Sequence, residues 1–415
     1  MDLLADLDAR GLIHDSTDRA ALAARLTSGP ISLYVGFDPT ADSLHVGHLV
    51  GQLLLRRFQM AGHKPFPLAG GATGMVGDPS GRSDERNLLD IDTLRYNVSR
   101  IEVQLQRLLD FSPGSAQAKL VNNADWTEPV KVLDFLRDVG KFVTINQMLA
   151  KDSVKSRLES ENGLSFTEFS YSLLQANDFR HLYEHEGVEL QAGGSDQWGN
   201  IVAGVDLIRR GMAKAAHAMT HPLVTKADGS KFGKSVDGAV WLDPAKTSPY
   251  QFRQFWVQVD DAMVPTYLRM FSLRPLAEID ALIEAHEGAP ERRNAQRTLA
   301  QELTTLVHGA QACDAAEQAA AVLFGGDPTQ ATVDALEVVA REVPSSTVPA
   351  SGLDDLVGVL VTAGLATSNG DARRTLQQGG FRANGVALGE SSQLSEVTPL
   401  HERYILLRKG KTNHH

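Results

Sequence analysis

Ile31-Ser32-Leu33-Tyr34-Val35-Gly36-Phe37 leads into Asp38-Pro39-Thr40 and then Ser43-Leu44-His45-Val46-Gly47-His48, and this order decides the fold. The first seven residues form a short β-rich run with loop formers after it, a buried strand candidate. Val46 to Met60 reads as a helix, with Leu49, Leu53, Leu54 and Phe58 roughly on one face. At the junction His45 and His48 are three apart and share that helix's first turn. A helix N-terminus offers free backbone N–H groups and partial positive charge. Gly47 has no side chain, so a bulky ligand can approach closely. Together these suit a polyphosphate with an adjoining nucleoside. Taken alone, a His-x-x-His pair describes a metal pair or two surface histidines equally well. No Cys or third His lies nearby, so zinc is not favoured and no metal site is expected.

Outward from this stretch the pattern repeats. Phe66 to Ala69 reads as a second strand, followed by Gly70-Gly71-Ala72-Thr73-Gly74. Thr93 to Leu109 reads as a helix, Lys119 to Val121 and Val188 to Gln191 as strands, and Trp198 to Arg210 as another helix. Strands alternating with helices imply an α/β fold, a parallel sheet with helices on both faces. Such sheets bind ligands at the carboxyl ends of strands, where the strand order switches. From about Ser248 to Ala320 the pattern is helical. Gly325-Gly326-Asp327-Pro328 and Val343-Pro344-Ser345-Ser346 bracket a polar stretch that reads as a linker. A small α/β module starts near Ala350. The expected division is residues 1–222, 223–325, a linker 326–349, and 350–415.

Two or three domains fit a chain of 415 residues with 42% hydrophobic and 22% charged side chains, a globular composition. The single cysteine, Cys313, permits no intrachain disulfide and fits a reducing compartment. The N-terminal segment has acids where a signal peptide needs positive charge, and no run approaches the ~20 apolar residues of a membrane span. A cytoplasmic protein without a membrane partner is expected. The net charge of −11 is unevenly placed: from Pro349 onward seven Lys/Arg face six Asp/Glu, so the acidity belongs to the body.

A second cluster, Lys231-Phe232-Gly233-Lys234-Ser235, lies between the turn pairs Asp228-Gly229 and Asp237-Gly238. Two lysines and a glycine on a loop can close over a triphosphate. Alone, such a run is a solvated basic loop. Paired with His45-Val46-Gly47-His48, it resembles the two signatures of the class I aminoacyl-tRNA synthetases. The segments Tyr34 to His48, Gly70 to Gly81, Phe166 to Asp178 and Gln191 to Asn200 resemble the bacterial tyrosyl-tRNA synthetases within that class, and the likeness covers nearly the whole chain.

The resemblance implies a Rossmann-like catalytic domain, a helical domain and a C-terminal RNA-binding module. It also implies L-tyrosine, ATP with Mg2+, and tRNA(Tyr) as ligands, and a homodimer. By position, Tyr34 and Asp178 would take the phenolic hydroxyl, with Asp78, Tyr171 and Gln175 around the α-ammonium and Gln197 near the carboxylate. Gly36, Asp38, Gly47, Gly193 and Asp196 would line the adenylate, with Asp196 on the ribose. Thr40, His45, His48, Arg82, Arg86, Lys231 and Lys234 would act on the phosphates. The first step needs no covalent enzyme intermediate, because the tyrosine carboxylate attacks the α-phosphate in line. The protein then positions groups and stabilises developing charge.

Asn369 to Gly385 resembles the S-four-type RNA-binding module. Arg373, Arg374 and Gln377 would face solvent on one helix, Arg382 and Asn384 would lie on the next strand, and Lys409 and Lys411 would follow. Such spacing suits backbone and shape readout of RNA. Lys151, Lys155 and Arg157 form a second basic patch, for the acceptor stem or simply a solvated face. Two departures stand out. Phe142 occupies a position where relatives usually carry His, and the chain ends at His415 where relatives often continue with one more strand. Two alternatives remain open: a tyrosine-adenylating or RNA-binding paralogue that charges no tRNA, and a tryptophan-specific relative. An indole only donates, so Asp178 together with Tyr34 favours a phenol.

Overall fold

The computed structural model describes residues 2–80, 89–149, 151, 154–155, 158, 163–230, 232–235 and 238–415. Five strands, β1 (Ser32–Phe37), β2 (Lys64–Ala69), β3 (Val121–Asn122), β4 (Val188–Gly194) and β5 (His217–His221), form a sheet in the order β3-β2-β1-β4-β5. Every pairing in it is parallel. The chain runs outward from β1 through β2 to β3, then returns to add β4 and β5 on the other side. The order therefore switches between β1 and β4. Pro65 and Pro67 are compatible with an inner strand for a positional reason. Lys64 N–H donates to Ile31 O, so the even-numbered amides of β2 face β1, whereas the two prolines face β3, which pairs only from Leu68 on.

Helices α1 (Leu3–Ala9) and α2 (Arg19–Thr27) precede the sheet. Helices α3 (Leu49–Met60), α4 (Ile91–Leu105), α5 (Phe166–Glu186) and α6 (Trp198–Met212) pack on it. Ser165 caps α5 by accepting from Glu168 N–H, and Gly187 ends it in the left-handed region at φ 64°. Phe179 and Leu182 of α5 and Ile208 of α6 join Tyr34, Phe66, Leu68 and Val188 in one buried cluster. The structure adds an element to the sequence reading: β5, whose polar sequence His-Ala-Met-Thr-His lacks a strand's apolar pattern yet is almost wholly buried.

The molecule divides into two units, residues 1–247 with 255–303, and residues 248–254 with 304–415. Helix α7 (Pro249–Val257) starts in the second unit and ends in the first, which continues with α8 (Val264–Phe271), α9 (Leu276–Gly288) and α10 (Asn294–His308) as far as residue 303. The last carbonyls of α8 lack intrahelical partners. Buried Arg57 donates to Met270 O and Ser272 O, and Arg10 donates to Ser272 O and Arg274 O.

In the second unit α11 (Ala310–Leu323) and α12 (Val333–Glu342) form a helix pair. Helix α12 lies in the middle of the stretch read as a linker. Thr332 caps it, and Ala335, Leu336 and Val339 are buried with Ala319, Val322 and Leu400. A four-stranded antiparallel sheet, order β11-β10-β8-β9, closes the chain: β8 (Phe381–Ala383), β9 (Val386–Ala387), β10 (Leu407–Lys409) and β11 (Asn413–His414). With α13 (Leu356–Thr362) and α14 (Asn369–Gln377) it encloses its own core around Leu360, Ala372, Leu376 and Phe381. The first unit also holds a two-stranded antiparallel pair, β6 (Lys234–Ser235) with β7 (Gly238–Ala239). Among the described residues no helix is long and apolar enough to cross a membrane.

Candidate active site

The described residues expected to bind tyrosine and the nucleotide gather around the carboxyl ends of β1, β2 and β4. Gly36 is exposed although it lies in the central strand, so the sheet is open to solvent at this point. Asp38, at the exit of β1, accepts from Thr73 Oγ1 at 2.8 Å and from Tyr171 Oη at 2.8 Å. A methyl group at Gly70 would lie 2.2 Å from Asp38 Oδ1 and 2.5 Å from Thr73 Oγ1, so only glycine lets this loop close on the carboxylate.

Behind this layer lies a group of buried polar side chains. Tyr34 is 1% exposed, and its hydroxyl has no hydrogen-bond partner among the described residues. Burial, and then the nearby Asp178 carboxylate, hold the Tyr34 phenol well above its ordinary pKa, so it stays protonated. Asp178, on α5 and 2% exposed, is held by two donors, Asn123 Nδ2 and Trp126 Nε1, each at 2.9 Å. Burial pushes its pKa up to about 7, against the lowering effect of those two donors. Asn123 is fully buried. It accepts from Ala72 N–H and donates to Thr73 Oγ1, so one amide links the glycine loop to Asp178. Buried Gln175 Oε1 likewise lacks a partner among the described residues. An unpaired hydroxyl, a fixed carboxylate and apolar Phe179 together suit a neutral ring that carries one hydroxyl.

Asp78 forms a second polar centre. It accepts from Gln197 Nε2 at 2.6 Å, from Asn200 Nδ2 at 3.4 Å and from Ser80 N–H at 3.0 Å. Lys151 Nζ reaches Asn200 Oδ1 at 3.4 Å, so this lysine turns toward the same centre and is not simply a surface charge. Burial lowers its pKa to about 8, partly offset by Asp78. Asp196 is exposed, and its pKa is raised first by desolvation and then by Asp78. A methyl group at Gly194 would meet Asp196 Oδ1 at 2.6 Å and Leu223 Cδ2 at 3.1 Å, which places an exposed apolar side chain beside the carboxylate. Gly193 packs on Ile201.

The two signature segments are joined directly. His45 Nδ1 accepts from Gly47 N–H at 3.1 Å, and His48 Nδ1 accepts from His45 N–H at 3.1 Å. The rings lie 3.9 Å apart, and burial lowers both pKa values, so both are neutral near pH 7. With each Nδ1 accepting, the proton each ring can offer is on Nε2. Val46 N–H donates to Val240 O, and Val240 N–H donates to Gly233 O. Gly233 has φ 83°, and a methyl group there would lie 2.8 Å from Val46 Cγ2. Phe232 anchors this loop against Phe255, Trp256, Tyr267 and Phe271. Thr40 is exposed beside Asp38. Arg82, Arg86, Lys231 and Arg157 fall outside the described residues, as does the side chain of Lys234.

In the second unit Arg373 and Arg374 are exposed on α14, Arg382 is exposed on β8, and Lys411 is exposed in the last turn. Gln377 donates to Glu390, and Lys409 lies 3.3 Å from Asp371 and 5.6 Å over Phe381, so both have local duties. Asn384 is a correction. It is buried at φ 47°, donates to Thr398 O and accepts from Leu406 N–H, which makes it a turn residue and not an RNA-facing one. After β10 the chain adds β11, so the module's sheet has a further strand beyond Lys409. Phe142 packs against Gly211, and its carbonyl accepts from Arg210.

Three residues escaped the sequence reading: Asn123, Trp126 and Leu223. The first two lie just after the shortest strand of the sheet and reach Asp178 from more than fifty residues away. No local pattern marks them.

Residues 26–325 match the family model of class I tRNA synthetases for tryptophan and tyrosine, and residues 335–415 match the C-terminal domain of tyrosine–tRNA ligases. A tyrosine–tRNA ligase of Roseiflexus castenholzii is 50% identical, the alignment covering 100% of this chain and 98% of that one. The tyrosine–tRNA ligase of Geobacillus stearothermophilus is 49% identical over 100% and 99%. A solved C-terminally truncated mitochondrial tyrosyl-tRNA synthetase of Aspergillus nidulans superposes with a TM-score of 0.72 at 34% identity, covering 78% of this chain and 94% of that one. A tryptophanyl-tRNA synthetase of Encephalitozoon cuniculi, at 13% identity and a TM-score of 0.54, shares the fold alone. The site geometry and full-length likeness agree, and the chain belongs to the bacterial tyrosyl-tRNA synthetases of class I.

Proposed function

We infer that this tyrosine–tRNA ligase binds L-tyrosine with its phenol between Tyr34 and Asp178, activates it with ATP, and passes it to the 3′ end of tRNA(Tyr). The observation that carries the residue assignment is the buried, unpaired Tyr34 hydroxyl beside a carboxylate held by Asn123 and Trp126. The phenol of the substrate donates to Asp178 and accepts from Tyr34. Asp78, Tyr171 and Gln175 receive the α-ammonium, and Gln197 lies toward the carboxylate. Asp196 takes the ribose hydroxyls, with Gly36, Asp38, Gly47 and Gly193 lining the adenylate and Leu223 offering the base an apolar face.

Tyrosine's carboxylate oxygen attacks the α-phosphorus in line, and pyrophosphate leaves with the electron pair of the broken P–O bond. Thr40 and the Nε2–H groups of His45 and His48 donate to phosphate oxygens at the N-terminus of the first helical turn after β1. Arg82, Arg86, Lys231 and Lys234 add positive charge as it develops. Among the described residues no three His, Cys, Asp or Glu side chains come together to hold a metal ion. Magnesium enters with ATP, as part of the nucleotide substrate. The terminal ribose hydroxyl of tRNA then attacks the mixed anhydride and releases AMP. Arg373, Arg374, Arg382 and Lys411 face the RNA backbone, with Gln377 and Lys409 supporting them.

The enzyme works as a homodimer in the cytoplasm. Val132, Leu133, Leu136, Ile145 and Phe166 are 52–79% exposed, an apolar set that a second copy would cover. The deciding assay is ATP–pyrophosphate exchange with each of the twenty amino acids. Tyrosine alone should support it, and exchange with phenylalanine or tryptophan at a comparable rate would overturn the pocket assignment.

A further inference from the structure

The segment after the signature loop is zipped to the segment before His45. Leu242 N–H donates to Leu44 O and Val46 N–H donates to Val240 O, with His45 opposite Trp241. Side chains extend this two-bond ladder. Asp243 N–H donates to Ser43 Oγ, and Asp243 is paired with Arg100 at 2.6 Å. On the other rung, Asp42 holds Lys246 Nζ at 2.6 Å, and that ammonium lies 5.3 Å over the Trp241 ring. The indole meets the His45 imidazole edge-on, with ring centroids 6.1 Å apart and planes at 63°. Trp241 N–H donates to Thr247 Oγ1, which fixes the backbone from which the indole springs.

We propose that Trp241, held under Lys246 and Asp42, is a positioning residue that holds the His45 ring in the orientation where Nδ1 accepts from Gly47 N–H and Nε2 faces the phosphate, and that it sets the phase of the signature loop against that ring. The inference rests on the role given above to His45 and the loop in activation. Among the described residues the His45 ring accepts from Gly47 N–H, and its ring neighbours are His48 and Trp241. Removing the indole frees one side of the imidazole and leaves the ring free to turn. The Asp42–Lys246 pair is about one-third exposed on both partners, so its contribution to folding stability is small. What it contributes is orientation, because an ammonium over an indole face restricts where the ring sits.

The test uses the full-length enzyme and tyrosine-dependent pyrophosphate exchange. Misplacing a catalytic group by about an ångström can cost up to roughly a hundredfold in rate, so Trp241→Leu should lower kcat by about ten- to a hundredfold. The KM for ATP and the calorimetric Kd for tyrosine should stay within about twofold of the parent, since ground-state contacts are kept. Trp241→Phe, which keeps an aromatic face, should recover most of the rate. Lys246→Met should lose about threefold with Tm unchanged, in keeping with a single cation over an indole. Nitrogen-15 spectra of the His45 ring should show protonated Nε2 in the parent and mixed tautomers in Trp241→Leu. Full kcat in Trp241→Leu overturns the proposal, and so does an equal loss in Trp241→Phe accompanied by the same fall in Tm. If Trp241→Leu does not fold, full kcat in Lys246→Met overturns it. A parent enzyme without tyrosine-dependent exchange would instead overturn the functional assignment.

Discussion

Asp178 carries the sharpest pH prediction at the scale of single residues, because burial raises its pKa to about 7 and, in the proposed pocket, the phenol of tyrosine donates to its ionised form. In the free enzyme the carboxyl is protonated below that value, so tyrosine binding must first release a proton. Affinity should therefore rise with pH from about 5.5 through 7 and level off above, with a limiting slope of about tenfold per pH unit. His45 and His48 have lowered pKa values and stay neutral across the upper part of this window. Calorimetric titrations with the parent and with Asp178→Asn decide the point, since the variant's profile should be flat. Tyr34→Phe tests the other partner of the phenol. One neutral hydrogen bond contributes about 0.5–1.5 kcal/mol, so the ratio of kcat/KM for tyrosine over phenylalanine should fall about two- to tenfold. Tyr34, Asp178 and Asp196 could be named from the sequence because the family's motifs surround them. Asn123 and Trp126, which fix Asp178 in place, have no motif and become visible only when β3 is set beside α5.

The signature loop is the element where sequence and fold meet most directly. Phe232 is buried among four aromatic rings, and Gly233 lies against Val46, so the loop's base is fixed. Lys234→Ala removes a charge whose value lies in the transition state. Loss of one well-placed stabilising group costs roughly a hundred- to a thousandfold in rate, and exchange should slow by that order. Tyrosine affinity measured without ATP should hardly change. A large loss of tyrosine affinity at normal exchange rate would refute the assignment. The alternation of strands and helices around β1 and β2 could be read from residues because each carries its period within a dozen positions. Strand β5 could not, since Thr220 and His221 are polar yet buried between β4 and the N-terminal segment, where Thr220 O accepts from His14 N–H. Helix α12 was hidden in the same way. Its apolar face of Ala335, Leu336 and Val339 gains meaning only once Ala319, Val322 and Leu400 are seen to cover it.

At the scale of the whole molecule, Leu133→Asp should turn the proposed dimer into a monomer in sedimentation, because it places a charge on one of the most exposed members of the apolar set. An unchanged sedimentation coefficient would move the interface elsewhere. Domain independence is tested by ending the chain at Ser346. Every described group assigned to adenylate formation lies in the first unit, so tyrosine-dependent exchange should persist near the parent rate. Charging should fall sharply, because Arg373, Arg374, Arg382 and Lys411 are gone. Each lost phosphate contact should also flatten the dependence of tRNA affinity on salt by about one unit of slope. The cut has a cost that composition alone did not suggest. It strips Leu400, Tyr404 and Leu406 from the face of α11 and α12, together with the His401 bond to Ala331 O and the Arg403 pair with Glu337. A buried leucine contributes about 1.5–3 kcal/mol, so the remaining helix pair should melt in a separate, lower calorimetric transition while exchange survives it. If exchange is instead lost at that lower transition, or is already absent from the truncated enzyme at 25 °C, the catalytic unit depends on the C-terminal module and the division proposed here fails.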